Sequence, residues 1–401
     1  MNFNLFNSIT NHSKWRSQCI NLVASENRPS KAVLTALTSD MNQRYFFKEF
    51  FSTSSGFKYE YHGAKFIEEV YDTTESLAKD LFQATYVNLN MLSGHLSNLN
   101  MLLAFCQPGD TIVCTDTNFG GYPGLAPEKL PSYLKINIIY IPQNDLSSTV
   151  DLDRLEEILI QHKPKIVMLS SSITLFPFPV KEVSRLCREY NIPFCYDASH
   201  PMGLIAGKEF QNPFAEGADF IIGSTHKSFP GPQGGIILGN IDCDKINKSC
   251  DFVVVDNIHP GRIAALGIAL LEMKHYGSDY AKQIILNAKY LAKYLEKRGI
   301  NIEFREKDYT ESHQFLLKKD FGYYEAFTKK LEEYGIILDN SGRIGVSEIT
   351  RIGMKEIDMD QIALFITEIF SGNERKSLKN DIKDFSLSFD SIKYGFDDAH
   401  F

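Results

Sequence analysis

Lys227 stands where a strand-like run, ADFIIGS, breaks into THKSFPGPQGG, between His226 and a turn rich in glycine and proline. An ordinary surface lysine belongs on a helix or an open loop. Two further strand-like runs end in polar groups. PFCYDASH carries Asp197 and His200 at its end, and KIVMLSSS carries the serines 170–172. A fourth feature, MLSGHLSN at 91–98, opens a helix-like stretch with Ser93, Gly94 and His95. Its small residues and free N–H groups suit an anion at a helix N-terminus. A lysine, an acid and a phosphate cradle fit pyridoxal 5'-phosphate. The lysine forms a Schiff base with the aldehyde, the acid pairs with the pyridine nitrogen, and the helix start holds the phosphate. GPQGG after the lysine lets the backbone pass close to the ring. Taken alone, each feature has a plainer explanation. Asp197 could cap the next helix, Lys227 could be a surface lysine on a buried stem, and His200 and His226 could be structural. The order along the chain makes the case: anion site, acid, then lysine, each at the end of an element.

Those ends need elements to hold them. Between about 80 and 240, short apolar runs (TIVCTD, INIIYIP, KIVMLSSS, PFCYDAS, DFIIGS, GGIILGN) alternate with stretches of helical spacing (SNLNMLLAFC, LDRLEEILIQH, VKEVSRLCREY). Strands apolar on both faces belong in a mainly parallel sheet covered by helices. Ligands of such sheets bind beyond the carboxyl ends of the strands. From about 262 to 300 a long helical pattern follows, RIAALGIALLEMKHYG and then YAKQIILNAKYLAKYLEKRG. A smaller α+β region then has strands expected at NIEFRE, HQFLLKK and RIGVSEI. This divides the chain into an N-terminal arm (1–30), a large domain (31–265), a small domain (266–370) and a polar tail (371–401). The tail carries Phe385, Phe389, Tyr394, Phe396 and Phe401, and is expected to lie across another surface or to be partly mobile.

Composition narrows the classes. The 401 residues carry a net charge of -8, with 43% hydrophobic and 23% charged residues, as in soluble globular proteins. No basic stripe supports a nucleic-acid partner. No apolar run is long enough to span a bilayer, and no secretory leader is visible at the N-terminus. The seven cysteines make no C-x-x-C pair. A cytoplasmic protein with no metal is the expectation.

INLVASENRPSKAV (20–33), YEYHGAKFIEEVY (59–71), STHKSFPGPQGG and SGRIGVSEITRIGMKE (341–356) together give the chain its likeness. It resembles the serine hydroxymethyltransferase family over about residues 20 to 368. These are fold-type-I pyridoxal-phosphate-dependent transferases, with a mainly parallel seven-stranded sheet in a large domain and a smaller C-terminal α+β domain. The resemblance implies roles by position. Lys227 would hold the cofactor, Asp197 its pyridine nitrogen and His200 its ring hydroxyl. Ser93, Gly94 and His95 would form the phosphate loop, with Ser172, Ser224 and His226 in the same pocket. Arg343 would clamp the substrate carboxylate. Ser25, Tyr45 and Tyr61 occupy substrate-pocket positions. Tyr45 and Tyr61 would reach the partner's site in a homodimer built with sites at its interface, and Gly261 would bring its N–H to the partner's phosphate.

The departures from the family are as informative as the matches. The family's glutamate after the tyrosine at position 45 is Phe47 here, with Glu49 displaced by two. Its cofactor-stacking imidazole is Tyr122. The arginine of its GPRGG is Gln233, its TPA is VSE, and its loop before SG-x-R is missing. Cofactor and carboxylate groups are kept while folate groups are largely lost. The expected function is Cα chemistry on an amino acid without folate: aldol, retro-aldol or transaldolase-type reaction of glycine or a β-hydroxy amino acid. Lys227, Tyr122 and a nearby histidine are the candidate proton carriers. The alternatives are serine hydroxymethyltransferase activity with Glu49 as the acid, another Cα or Cβ reaction such as racemisation, transamination or substitution, and a cofactor-binding protein without turnover.

Overall fold

The computed structural model describes residues 4–397 apart from 49–50, 53–57, 60, 242 and 319–323. Glu49 and Phe401 lie outside the described residues. Seven strands form the central sheet: β1 (Tyr86–Asn88), β2 (Thr111–Cys114), β3 (Asn137–Tyr140), β4 (Val167–Ser170), β5 (Phe194–Asp197), β6 (Phe220–Ser224) and β7 (Gly235–Gly239). Their order is β1-β7-β6-β5-β4-β2-β3. Only β7 runs against its neighbours. The sheet is thus mainly parallel, as expected. Every residue of β4, β5, β6 and β7 is buried, which is why these runs read as unbroken apolar stretches. Strand β1 was not anticipated, because three residues are too few to show a period.

Helix α1 (Asn4–Arg16) buries no residue, and Leu5, Phe6 and Ile9 on it are exposed. Helix α2 (Gly94–Phe105) begins at its cap Ser93, whose Oγ accepts from the Leu96 N–H. The long helical pattern after 262 is one helix, α3 (Pro260–Lys297). Gly277, where the pattern is interrupted, is a packing point instead of a break. A Cβ on Gly207 would lie 2.3 Å from the Gly277 carbonyl oxygen, so the two backbones touch.

The small region holds an antiparallel pair, β8 (Gln314–Leu316) and β9 (Arg343–Gly345). The strand expected at NIEFRE does not form. Ile302 makes an isolated bridge to Leu317, Phe304 takes a left-handed conformation, and the chain turns into a 3-10 helix at Arg305–Lys307. RIGVSEI is a strand only to Gly345, after which Ser347–Arg351 is helical. Helix α4 (Glu356–Ser371) packs on α3, and α5 (Leu378–Leu387) lies in the tail. Among the described residues no helix is long and apolar enough to cross a membrane.

The tail closes over a buried ion pair. Arg351 and Glu272 meet at 2.5 Å with neither side chain exposed. Ser30 Oγ and the Phe396 N–H donate to the same carboxylate, and Arg351 donates to the Tyr394 carbonyl. A buried charge that loses its partner costs about 3–5 kcal/mol. Glu272→Leu is therefore expected to lower unfolding stability by about that amount. Urea denaturation reads it, and a loss below about 1 kcal/mol would place the pair in water.

Candidate active site

Three strand ends and one helix start meet beyond the carboxyl edge of the sheet. They enclose a cavity of about 220 Å³ lined by Ser93, Gly94, His95, Asn98, Tyr122, Ser171, Ser172, Asp197, Ser199, His200, Ser224, His226 and Lys227. That is smaller than most ligand pockets, which run roughly 300–1,000 Å³, and suits one small substituted ring. Ten of the expected site residues line it.

Asp197 ends β5 and is buried, with three donors on its carboxylate. Asn98 Nδ2 at 2.9 Å and Ser170 Oγ at 2.7 Å reach one oxygen, and the Ser199 N–H at 2.9 Å reaches the other. The carboxylate is thereby fixed in orientation. Lys227 follows β6 with its Nζ 3.4 Å from His200 Nε2. Burial pulls its pKa down to about 8; Asp197 opposes that shift and Arg343 adds to it. The amine is therefore far easier to deprotonate than an exposed lysine. Asn27 Nδ2 holds the Lys227 carbonyl at 2.6 Å and meets Tyr280 Oη at 2.9 Å, so the ASEN segment fixes the lysine's backbone.

The N-terminus of α2 points at the cavity. The first N–H groups of a helix lack partners within it. Gly94 is required for close approach, since a Cβ there would lie 2.4 Å from Ser224 Oγ. Ser224 is linked in turn to Ser199, whose Oγ accepts from the Ser224 N–H at 3.1 Å. An oxyanion fits this cluster of hydroxyl and amide donors.

Tyr122 is placed by its N–H, which donates to the Ser170 carbonyl at 2.9 Å. Its Oη lies 2.7 Å from His95 Nδ1. Burial, with Asp197 second, raises its pKa to about 12, so the phenol keeps its proton. His226 is pulled down to about 4 by burial and then by Lys227. Arg343, on β9, lies against this cavity. Its Nε pairs with Asp339 at 2.9 Å, and one terminal nitrogen donates to the Ser172 carbonyl at 2.7 Å.

Four expected residues lie elsewhere in the chain. Ser25 lines a larger neighbouring groove of about 820 Å³ that shares His226 with the cavity. Gly261 sits in the first turn of α3 against Asn42, where a Cβ would approach to 2.7 Å. Tyr45 and Tyr61 are about half exposed and pack on each other at 5.4 Å. Phe47 lies between Tyr61 at 5.6 Å and Phe252 at 5.5 Å, giving four aromatic rings in one surface cluster. Residue-type reasoning overlooked Asn98, Ser199, Asn27, Asp339 and His313. Asn98 has a visible signal, one turn after Gly94 on the same face of α2.

The serine hydroxymethyltransferase family model matches residues 1–322. The chain belongs to the serine hydroxymethyltransferase family. It is 37% identical to the serine hydroxymethyltransferase of Methanosphaera stadtmanae, over 98% of this chain and 95% of that one. The serine hydroxymethyltransferase of Methanocaldococcus jannaschii is 36% identical over 98% of this chain and 95% of its own. Among solved structures, L-threonine transaldolase from Pseudomonas fluorescens in its internal aldimine state superposes with a TM-score of 0.89. It shares 28% identity, over 98% of this chain and 93% of that one. The protein is a pyridoxal-phosphate-dependent transferase of the fold-type-I class. The cavity fits that cofactor: one buried amine, one fixed carboxylate and one helix N-terminus converge on it.

Proposed function

We propose that this enzyme breaks or forms the Cα–Cβ bond of a β-hydroxy amino acid without folate, in the manner of an aldolase or transaldolase. The observation that carries the reading is Phe47, packed between Tyr61 and Phe252. The family resemblance puts a glutamate at that position, which serves proton transfer in the folate reaction. A phenyl ring has no proton to give. Arg343 also follows the strand Ile336–Ile337 after a short turn, where the resemblance calls for a pterin-binding loop. The structural likeness to a threonine transaldolase agrees with this reading.

Bound pyridoxal phosphate supplies an aldehyde for the amine and an electron-poor ring that stabilises charge at Cα. Lys227 would hold it, because its amine is neutral above about pH 8. Asp197 would hold the ring nitrogen. Ser93, Gly94, His95 and Ser224 would hold the phosphate at the start of α2. Arg343, with its fork set by Asp339 and the Ser172 carbonyl, would take the substrate carboxylate, at about 1.5–3 kcal/mol per charged hydrogen bond. Tyr122 would cover one face of the cavity and keep a proton on Oη. Tyr45, Tyr61 and Gly261 would serve the partner's site in a homodimer, which would account for their absence from the lining of this chain's cavity.

Serine hydroxymethyltransferase activity is the second reading, favoured by the names of the archaeal relatives. Calorimetry separates the two. With glycine present, the expected result is no tetrahydrofolate binding at concentrations up to about 1 mM, weaker than about -4 kcal/mol. Micromolar binding would favour the second reading.

A further inference from the structure

His313 is fully buried just before β8 and plays no part in the roles above. Its Nε2 lies 3.3 Å from His200 Nδ1, and the two rings stack at 5.5 Å with 18° between planes. On its far side, Ser312 Oγ lies 3.0 Å from Nδ1, and the Ala24 backbone lies near the ring. On the near side, His200 Nε2 faces two cations, Lys227 Nζ and Arg343, each at 3.4 Å.

A guanidinium has donors only, so the His200 Nε2 beside it must be an acceptor. A neutral imidazole that accepts at Nε2 carries its proton on Nδ1. That proton points at His313 Nε2, which must also accept. The His313 proton then sits on Nδ1, where the Ser312 hydroxyl takes it. The donor pattern closes in one direction only.

We propose that His313 is a positioning residue that fixes His200 as the Nδ1-protonated tautomer, with its Nε2 lone pair turned toward Arg343 and Lys227. This rests on the reading of Arg343 and Lys227 as the carboxylate- and cofactor-binding groups. The groups facing the pair are Asp197 before His200, His226 and Lys227 from the lysine loop, and Arg343 with Asp339 from the β9 side. Both carboxylates are engaged by other donors: Asn98, Ser170 and Ser199 on Asp197, and Ser341 and Arg343 on Asp339. Neither is left to stabilise an imidazolium. Burial, with Arg343 and Lys227, holds His313 down to about 3, and burial, with Lys227 and Arg343, holds His200 well below the ordinary histidine range. Burial and the neighbouring cations thus disfavour the charged form of both rings.

The consequence is an acceptor placed between two donors that must not move. Arg343 gains a third anchor beside Asp339 and Ser172, and Lys227 gains a base rather than a competing cation. The arrangement also explains a sequence feature. Ala24 belongs to the ASEN segment, and Gly345 leaves room for it, since a Cβ there would lie 2.3 Å from Ala24 Cα.

Two amide variants of the holoenzyme test this. Gln at 313 can place its carbonyl oxygen where Nε2 was, and Asn is too short to do so. His313→Asn is expected to weaken glycine binding about tenfold and to lower the pH midpoint of the bound-cofactor absorbance by about one unit. His313→Gln is expected to stay within about twofold of wild type on both. Equal losses in both variants, or none in a folded His313→Asn, would overturn the proposal. Nitrogen-15 NMR of histidine-labelled wild-type protein gives an answer that needs no variant to fold. Protons on Nδ1 of both rings are expected, and a proton on His200 Nε2 would overturn it. Failure of wild-type protein to take up pyridoxal phosphate would instead count against the roles of Lys227 and Arg343, leaving the NMR result to judge His313.

Discussion

Lys227→Ala is expected to abolish turnover and to remove the visible absorbance of the lysine-held cofactor. The loss should be at least about 10⁴-fold, or about 5 kcal/mol of barrier. The amine is the only lysine side chain among the described residues lining the cavity, and its pKa of about 8 makes it reactive. The sign of the pH effect follows from burial, which disfavours the ammonium form. Loading of apoenzyme with cofactor should therefore rise with pH and level off above about 8. An exposed lysine would level off only above about 10.4. Borohydride reduction of the holoenzyme followed by peptide mapping should find the cofactor on Lys227. A tag on any other lysine would refute the assignment.

Asp197→Asn is the second large effect. The carboxylate accepts from Asn98, Ser170 and the Ser199 backbone. A carboxylate is acceptor-only, and an amide would turn an NH₂ group toward donors. The variant also removes the negative charge that would keep the pyridine nitrogen protonated. Turnover should fall about 10³-fold, close to 4 kcal/mol, with weaker retention of the cofactor on dialysis. Activity within tenfold of wild type would remove Asp197 from the electronics of the reaction and leave it a structural role.

The sheet and the centre of the site were legible because their signals are local. Strands β2 and β4 to β7 announce themselves as apolar runs, and Asp197, Ser172 and Lys227 are the polar residues that end three of them or follow directly. Ser93 and Gly94 are legible as a helix start. What escaped is long-range. His313 lies 113 residues from His200 in the chain, and nothing in ESHQFLLKK marks that meeting. Asn27 and Lys227 are 200 residues apart. NIEFRE gives way to a bend at Phe304, where φ turns positive, and the chain turns again at Asp308 and Tyr309. Tyr45, Tyr61 and Gly261 carry a resemblance to interface positions, and their place in one chain is consistent with service to a second copy.

The folate question turns on the same contrast. Around Lys227 the resemblance departs at Tyr122, and at the surface cluster it departs at Phe47. Tyr45, Phe47, Tyr61 and Phe252 form an aromatic cluster that offers apolar area and ring stacking.

The most direct measurement is aldehyde release by purified holoenzyme from a panel of β-hydroxy amino acids, serine and threonine among them, with and without tetrahydrofolate. Release from at least one of them is expected at a rate that tetrahydrofolate leaves unchanged, with loss of that release in Lys227→Ala. Conversion of serine to glycine only when tetrahydrofolate is present, with no release in its absence, would contradict it.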